Sequence, residues 1–202
     1  MNLYDEKYNR EEFYWGVQPS RSCLEVLKLF PPDKGIRLID LGCGEGRNAV
    51  FFARNGYDVT AFDLSQRGIE KTQILAQKAG VKIQVFQANI NDFRLSEEYQ
   101  IIFSTGTLQY IPSELRLEII NNYKRFTVPN GINVFSILID KPFIPKAPDQ
   151  EKTTHKWISG EIFTYYNDWR IEYCIEDIFD CRSIEIPHKH AINRMIARKI
   201  SI

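Results

Sequence analysis

Apolar and polar positions along this chain follow two periods, and the periods take turns. The runs Ile36 to Leu41, Asp58 to Phe62, Gln100 to Phe103 and Val134 to Ile139 are short and apolar, as buried parallel strands are. Val81, Ile83 and Val85 alternate as a further strand. Between these runs the spacing lengthens to that of a helix. One helix runs after Gly46 through Ala49, Val50 and Ala53 and stops at Asn55-Gly56, a C-terminal signal. A second has Ser65 as its cap, Ile69, Leu75 and Ala76 on one face, and Gly80 at its end. A third is expected to start at Ser113 as its cap and carries Leu115, Ile119, Ile120 and Tyr123. Strand and helix in alternation predict an α/β domain with a mostly parallel sheet.

The two ends of the chain read differently. Residues 1–30 form an aromatic-rich arm followed by a helix around Cys23 to Phe30. Past the turn Pro129-Asn130-Gly131 and the fifth strand, residues 140–156 hold Pro142, Pro145 and Pro148 and keep no period. Such a segment is expected to be an irregular, lid-like loop. A short helix, Gly160 to Trp169, and two strand-like runs, Ile171 to Ile178 and Ala191 to Ile200, complete the pattern. The chain has 202 residues, which fits a single domain over 1–202, and 44% of them are apolar, enough for a large core.

Charge narrows the field of partners. Lys+Arg and Asp+Glu both total 26, so the net charge is zero and nothing favours nucleic acid as a partner. No apolar run approaches the ~20 residues of a membrane helix, and no basic start precedes an apolar stretch, so neither membrane nor secretion is expected. The cytoplasm is the expected location, with the chain a monomer or homodimer. The four cysteines are Cys23, Cys43, Cys174 and Cys181; none forms a C-x-x-C pair, no Cys/His cluster has zinc spacing, and no metal is expected.

The segment that carries chemistry is Leu38-Ile39-Asp40-Leu41-Gly42-Cys43-Gly44-Glu45-Gly46-Arg47-Asn48. An acid ends a strand, and a glycine turn opens a helix. Glycines at 42, 44 and 46 let a ligand lie against bare backbone. The dinucleotide fingerprint G-x-G-x-x-G, counted from Gly42, needs glycine where the chain has Arg47; counted from Gly44, its looser form ending in alanine fits through Gly46 and Ala49. A nicotinamide-dependent oxidoreductase therefore stays open as an alternative. Asp63 ends the second strand 19 positions after Gly44, where an acid reaches ribose hydroxyls in open α/β sheets.

The Asp-Leu-Gly-Cys-Gly-x-Gly segment resembles motif I of the class I S-adenosylmethionine (SAM) dependent methyltransferases. That resemblance implies a Rossmann-like class I methyltransferase fold: a seven-stranded, mostly parallel sheet with its last strand antiparallel and helices on both faces. It implies SAM as cofactor and S-adenosylhomocysteine (SAH) as product. The expected cofactor set is Asp40 for the amino group, Gly42, Cys43, Gly44 and Asn48 around the turn, and Asp63 for the ribose. Leu64 is expected against the adenine face. Asn89 stands where the family usually has an acid for the adenine amino group, and its amide oxygen can accept the same bond. Ile90 adds a backbone N–H and apolar contact, and Ser104 with Thr105 borders the sulfonium. Trp15, beside Tyr14 in Phe13-Tyr14-Trp15-Gly16, is expected to close over the site.

Gly46-Arg47-Asn48, Asn55-Gly56-Tyr57-Asp58-Val59, Ile102-Phe103-Ser104-Thr105, Gly160-Glu161-Ile162 with Tyr165, Tyr166 and Trp169, and Met195-Ile196-Ala197-Arg198-Lys199 are similar to the tellurite-resistance methyltransferase family. That family implies methylation of tellurite or selenite oxyanions, or of small thiol-like acceptors. A small-molecule acceptor is therefore expected, with Arg47, His155 and Lys156 as the catalytic-site cations that would hold an anion. The family's usual Lys-Pro-Gly-Gly is replaced here by Pro129-Asn130-Gly131. A non-catalytic SAM-binding or scaffold protein with the same fold is the alternative from another class.

Overall fold

The computed structural model describes residues 3–146, 154–181 and 186–200. Seven strands form one sheet: β1 (Arg37–Leu41), β2 (Asp58–Asp63), β3 (Gln84–Gln87), β4 (Tyr99–Thr105), β5 (Thr127–Ile139), β6 (Arg170–Cys181) and β7 (His188–Arg198). Their order is β3-β2-β1-β4-β5-β7-β6. Pairs among β1 to β5 are parallel, whereas β7 runs antiparallel to both β5 and β6. Six strands thus share one direction and the last opposes them, as the motif resemblance implied.

Helices α1 (Leu3–Tyr8), α2 (Arg21–Leu29), α3 (Arg47–Arg54), α4 (Gln66–Lys78), α5 (Ser113–Arg125) and α6 (Glu161–Thr164) cover the faces. Strand alternation sorts the core into two. Leu38, Ala61, Ile101, Phe103 and Val134 point to one side and pack on Cys23 and Val26 of α2 and Ala49 and Phe52 of α3. Ile39, Leu41, Ile102, Phe135 and Ile137 point to the other and meet Ile119, Ile120 and Tyr123 of α5 with Trp157 and Tyr166.

Local chemistry moves several boundaries. The third strand begins at Gln84, not Val81, because Val81 serves the helix before it. Its N–H bonds Ala76 O at 3.0 Å while Gly80, at φ 68°, bonds Gln77 O at 3.1 Å. This is the left-handed glycine cap that closes a helix. The same device ends α3, where Tyr57 N reaches Phe52 O at 3.3 Å and the two rings meet edge to face at 5.5 Å. Ser113 is not the cap of α5. Pro112, extended at φ −57° and ψ 148°, takes that position, and Ser113 becomes the first helical residue, its hydroxyl 3.2 Å from Glu114 Oε2. Pro129-Asn130-Gly131 lies within β5 as an irregularity, with Asn130 at φ 62° and the register shifting against β4. The expected helix Gly160 to Trp169 is helical only over Glu161–Thr164 and continues as turns. Of the lid-like loop, residues 147–153 lie outside the described residues.

Candidate functional site

The strand order reverses between β1 and β4, so their carboxyl ends open the crevice in which open α/β sheets bind ligands. The glycine turn crosses this crevice. Gly42 N and Cys43 N both donate to Phe62 O at 2.9 Å, tying the turn to the end of β2. Gly42, Gly44 and Gly46 all have left-handed φ (76°, 57° and 87°). Two of them are needed by the protein itself. A Cβ at Gly42 would lie 2.3 Å from the Thr107 side chain, and one at Gly46 would lie 2.7 Å from Thr72. Gly44 instead faces the N-terminal arm, where a Cβ would come 3.0 Å from the Tyr8 hydroxyl.

Two carboxyl groups stand beside this turn. Asp40 is 1% exposed, and its Oδ2 is buried without a hydrogen-bond partner. Burial first, and the charge of Asp63 second, push its carboxyl up to about 7; Arg47 and the Ala49 backbone N–H pull the other way. Asp63 Oδ2 accepts from Gly44 N and Oδ1 from Ser65 N, both at 2.8 Å. Burial raises Asp63 above the ordinary carboxylate value, and those two N–H groups oppose it. A buried acceptor without a donor costs free energy. A cationic donor entering the crevice would relieve that cost at Asp40, and an ammonium group suits the position.

The other expected site residues divide into several groups. Trp15 does reach the turn. Its backbone N–H donates to Glu45 Oε2 at 3.3 Å, its indole N–H to Tyr8 Oη at 3.2 Å, and its carbonyl accepts from Arg47 Nη1 at 3.1 Å. Leu64, 45% exposed, is an apolar side chain open to solvent at the end of β2. Ile90 sits in the core, so its side chain packs rather than lines a surface. Asn48 and Ser104 spend their polar groups inside the protein. Asn48 Oδ1 accepts from Ser20 N at 2.8 Å while its Nδ2 donates to Thr105 Oγ1 at 3.1 Å, clamping α2 and α3 to β4. Ser104 Oγ donates to Leu41 O at 2.9 Å. Asn89 folds onto its own loop, accepting from Asn91 N at 3.1 Å and donating to Asp92 Oδ2 at 3.0 Å. Cys43 is buried, and burial followed by Asp63 and Asp40 raises its thiol well above the ordinary value, which leaves no nucleophile there.

His155 and Lys156 are held by their backbones. His155 N donates to Gln109 O at 2.7 Å, and Lys156 O accepts from Arg116 Nη2 at 2.9 Å. Both side chains are exposed. Arg116, 3% exposed, stacks 4.1 Å over the Trp157 ring and bonds Glu161 at 2.6 Å, which pins this segment beside β4.

Several residues at the site are not evident from the sequence pattern. α1 itself is one. Its Tyr4 and Tyr8 lie on one face, at i and i+4. Tyr4 Oη meets Tyr110 Oη at 2.7 Å, and Tyr8 packs on Gly44. The buried Glu45 and the half-buried Lys71 form an ion pair at 2.7 Å, and Lys71 also donates to Glu12 O at 2.6 Å. The arm is thus fastened to the glycine turn from two sides. Gln109, 5% exposed, donates to Gly106 O, and its Oε1 is buried without a partner near the end of β4. A groove of about 490 Å³ lined by Tyr8, Phe13, Arg67, Lys71 and Ile74 runs between the arm and α4; no motif I glycine lines it.

Known proteins resemble this chain in sequence and fold. The tellurite resistance protein TehB family matches residues 1–186. A probable S-adenosyl-L-methionine-dependent methyltransferase TehB of Haemophilus influenzae is 29% identical over 173 residues, covering 85% of this chain and 56% of that protein. A ubiquinone biosynthesis O-methyltransferase of Rickettsia prowazekii is 30% identical over 68% of this chain and 59% of its own length. The chain spans a little over half the length of these curated relatives. The crystal structure of TehB from Haemophilus influenzae superimposes with a TM-score of 0.79 at 26% identity, over 97% of this chain and 65% of that one. Among the described residues no helix is long and apolar enough to cross a membrane. With residues 1–186 of 202 inside the match, the relationship covers nearly the whole chain: it belongs to the tellurite resistance protein TehB family, among the class I SAM-dependent methyltransferases.

Proposed function

We propose that this chain binds SAM in the crevice between β1 and β4 and transfers its methyl group to a small acceptor, either a tellurite or selenite oxyanion or a thiol-like compound. The observation that carries the reading is the unpartnered, buried Asp40 Oδ2 under a glycine turn whose Gly44 N–H is already held by Asp63. When bound, the cofactor supplies a sulfonium whose methyl group is ready to leave. The protein's task is then placement and exclusion of water. Asp40 takes the amino group. Asp63 keeps a second lone pair on each oxygen for ribose hydroxyls, since each accepts one backbone N–H here. Leu64 offers apolar surface to the adenine, Asn89 the remaining acceptor capacity of its amide, and Ile90 a backbone contact. Asn48 and Ser104 act by holding the turn and the strand ends.

The arm over Gly44, with Tyr8 and Trp15, keeps water from the reacting centre. Arg47 and Lys156 supply the positive charge that an oxyanion needs, and His155 adds a ring N–H donor. The chain acts as one domain, alone or as a homodimer, in the cytoplasm, a reducing setting that suits four cysteines with no disulfide among them.

The test pairs calorimetry with SAH and NAD against a methyl-transfer assay over selenite, tellurite, thiols and amines. Binding of SAH but not NAD, with turnover of at least one acceptor, is the expected result. NAD binding without SAH binding would overturn the cofactor assignment. SAH binding with no acceptor turned over would favour a non-catalytic SAM-binding protein.

A further inference from the structure

We propose that Cys181, His188 and His190, at the tip of the β6–β7 hairpin, form a three-ligand site for a divalent transition metal ion of the zinc class. The backbone sets the arrangement. Cys181 is the direct cross-strand partner of His188, and His190 lies two residues further along β7, opposite Phe179. Direct partners share a sheet face, as do residues two apart, so the thiol and both imidazoles project to the same side. Their ligand atoms all lie within 4.8 Å of one another, and the two Nε2 atoms are 3.0 Å apart. The rings are nearly perpendicular, with centroids 4.7 Å apart, so the nitrogens converge on a point instead of stacking.

The tautomer suits a ligand role. His188 Nδ1 lies 2.8 Å from Ile186 O, and only a protonated Nδ1 can make that bond. In the neutral ring Nε2 then carries the lone pair, and it lies 3.0 Å from His190 Nε2. Donation of the second ring nitrogen to a backbone carbonyl is the usual way a metal-binding imidazole is oriented. The Phe179 ring, 5.7 Å from that of His190, walls the site on one side. All three ligands are half-buried. Zinc bonds of about 2.0–2.1 Å to nitrogen and ~2.3 Å to sulfur set tetrahedral edges of about 3.3–3.6 Å. The observed spacing, 3.0 Å between the two nitrogens and at most 4.8 Å for any pair, brackets those edges.

An ion here would clip the ends of β6 and β7 together beyond the last residue of β5, since Ile139 already pairs with Ala191. Because β6 runs the same way as β5, this tip lies on the carboxyl edge of the sheet, the edge that carries the cofactor crevice. Three protein ligands leave the fourth zinc position to water or another thiolate. The sequence hides the site because its C-x6-H-x-H spacing is that of a hairpin and not of a zinc finger.

The test uses the full chain, stripped with a chelator, and titrates it with zinc in competition with a chromophoric chelator and separately with cobalt. We expect one zinc per chain with sub-micromolar affinity, and a thiolate-to-cobalt absorption band. Cys181→Ser should abolish that band. His190→Gln should weaken zinc by at least roughly tenfold, since losing an outer-shell partner alone costs that much. Cys174→Ser, on the same strand and outside the cluster, should change neither reading. Circular dichroism and SAH binding check that each variant is folded, and His188→Gln replaces any that is not. Zinc affinity equal in the parent and the His190→Gln protein, no zinc bound at all, or a cobalt spectrum without the thiolate band would each overturn the site and leave a hydrogen-bonded histidine pair beside a thiol.

Discussion

Replacing Asp40 by Asn should make the ligand-free protein more stable and its ligand weaker. Asp40 is fully buried, and its carboxyl is raised from an ordinary 3.8 to about 7. The sign follows from proton counting. Between those two values the folded protein holds a proton that the unfolded chain has released, so stability falls as pH rises from about 4 to about 7 and stays low above. At about 1.36 kcal/mol per tenfold change in proton affinity, the ionised carboxylate costs the fold at most roughly 4 kcal/mol at pH 8. Asn removes the charge but brings an N–H₂ group that also needs a partner, so we expect a gain of ~1–3 kcal/mol, seen as a rise of roughly 3–8 °C in Tm. SAH binding should move the opposite way. An α-amino group is cationic between pH 5.5 and 7.5, so parent affinity should fall as pH drops below about 7 and Asp40 takes up a proton. The Asn variant should bind about 10- to 100-fold more weakly at pH 7.5, the loss of a charged hydrogen bond, with little pH dependence left. Melting curves of the ligand-free proteins and calorimetry across pH 5.5–7.5 read both effects. A parent affinity flat across that range, or a variant that melts lower yet binds SAH normally, would refute the assignment.

Other substitutions probe the same site. Asp63→Ala should weaken SAH by roughly 1–3 kcal/mol in calorimetry, and an unchanged dissociation constant would remove Asp63 from the ribose. Arg47→Ala should depress oxyanion turnover more than SAH affinity; equal losses in both would mean that Arg47 acts only through its bond to the Trp15 carbonyl. Gly42→Ala combines a left-handed φ of 76° with a Cβ 2.3 Å from Thr107, so it should lower Tm by several degrees and abolish SAH binding, and a well-folded, SAH-competent variant would disprove the close packing. Lys71→Met strands the buried Glu45 carboxylate and should destabilise by about 2–4 kcal/mol in denaturant unfolding; a loss under about 1 kcal/mol would show the pair to be solvated.

Local rules made much of this protein legible. The Asn55-Gly56 and Lys78-Ala79-Gly80 helix ends follow from glycine's freedom at positive φ, and both were visible as residue types. The same holds for Ser65, whose hydroxyl accepts from Gly68 N. Asp40 and Asp63 were legible because a strand end and a fixed spacing put an acid at the crevice whatever the rest of the chain does. Where two local uses competed for one residue, sequence reading misplaced it. Val81 has strand character but is taken by the cap of α4, and Pro112 displaces Ser113.

By itself, then, the chain determined what depends on near neighbours: the alternation of strand and helix, the glycine turn, and the two acids that flank it. Only the tertiary structure decided how polar groups from distant segments spend their hydrogen bonds. It turned Asn48 and Ser104 inward, laid Tyr8 on Gly44, left Asp40 and Gln109 with buried acceptors lacking donors, and brought Cys181 to two histidines. The physical reason is range. A cap or a turn is settled within a few residues by φ and one hydrogen bond, but burial, and with it the upward shift of the Asp40 carboxyl, exists only after strands and arm have closed around the site.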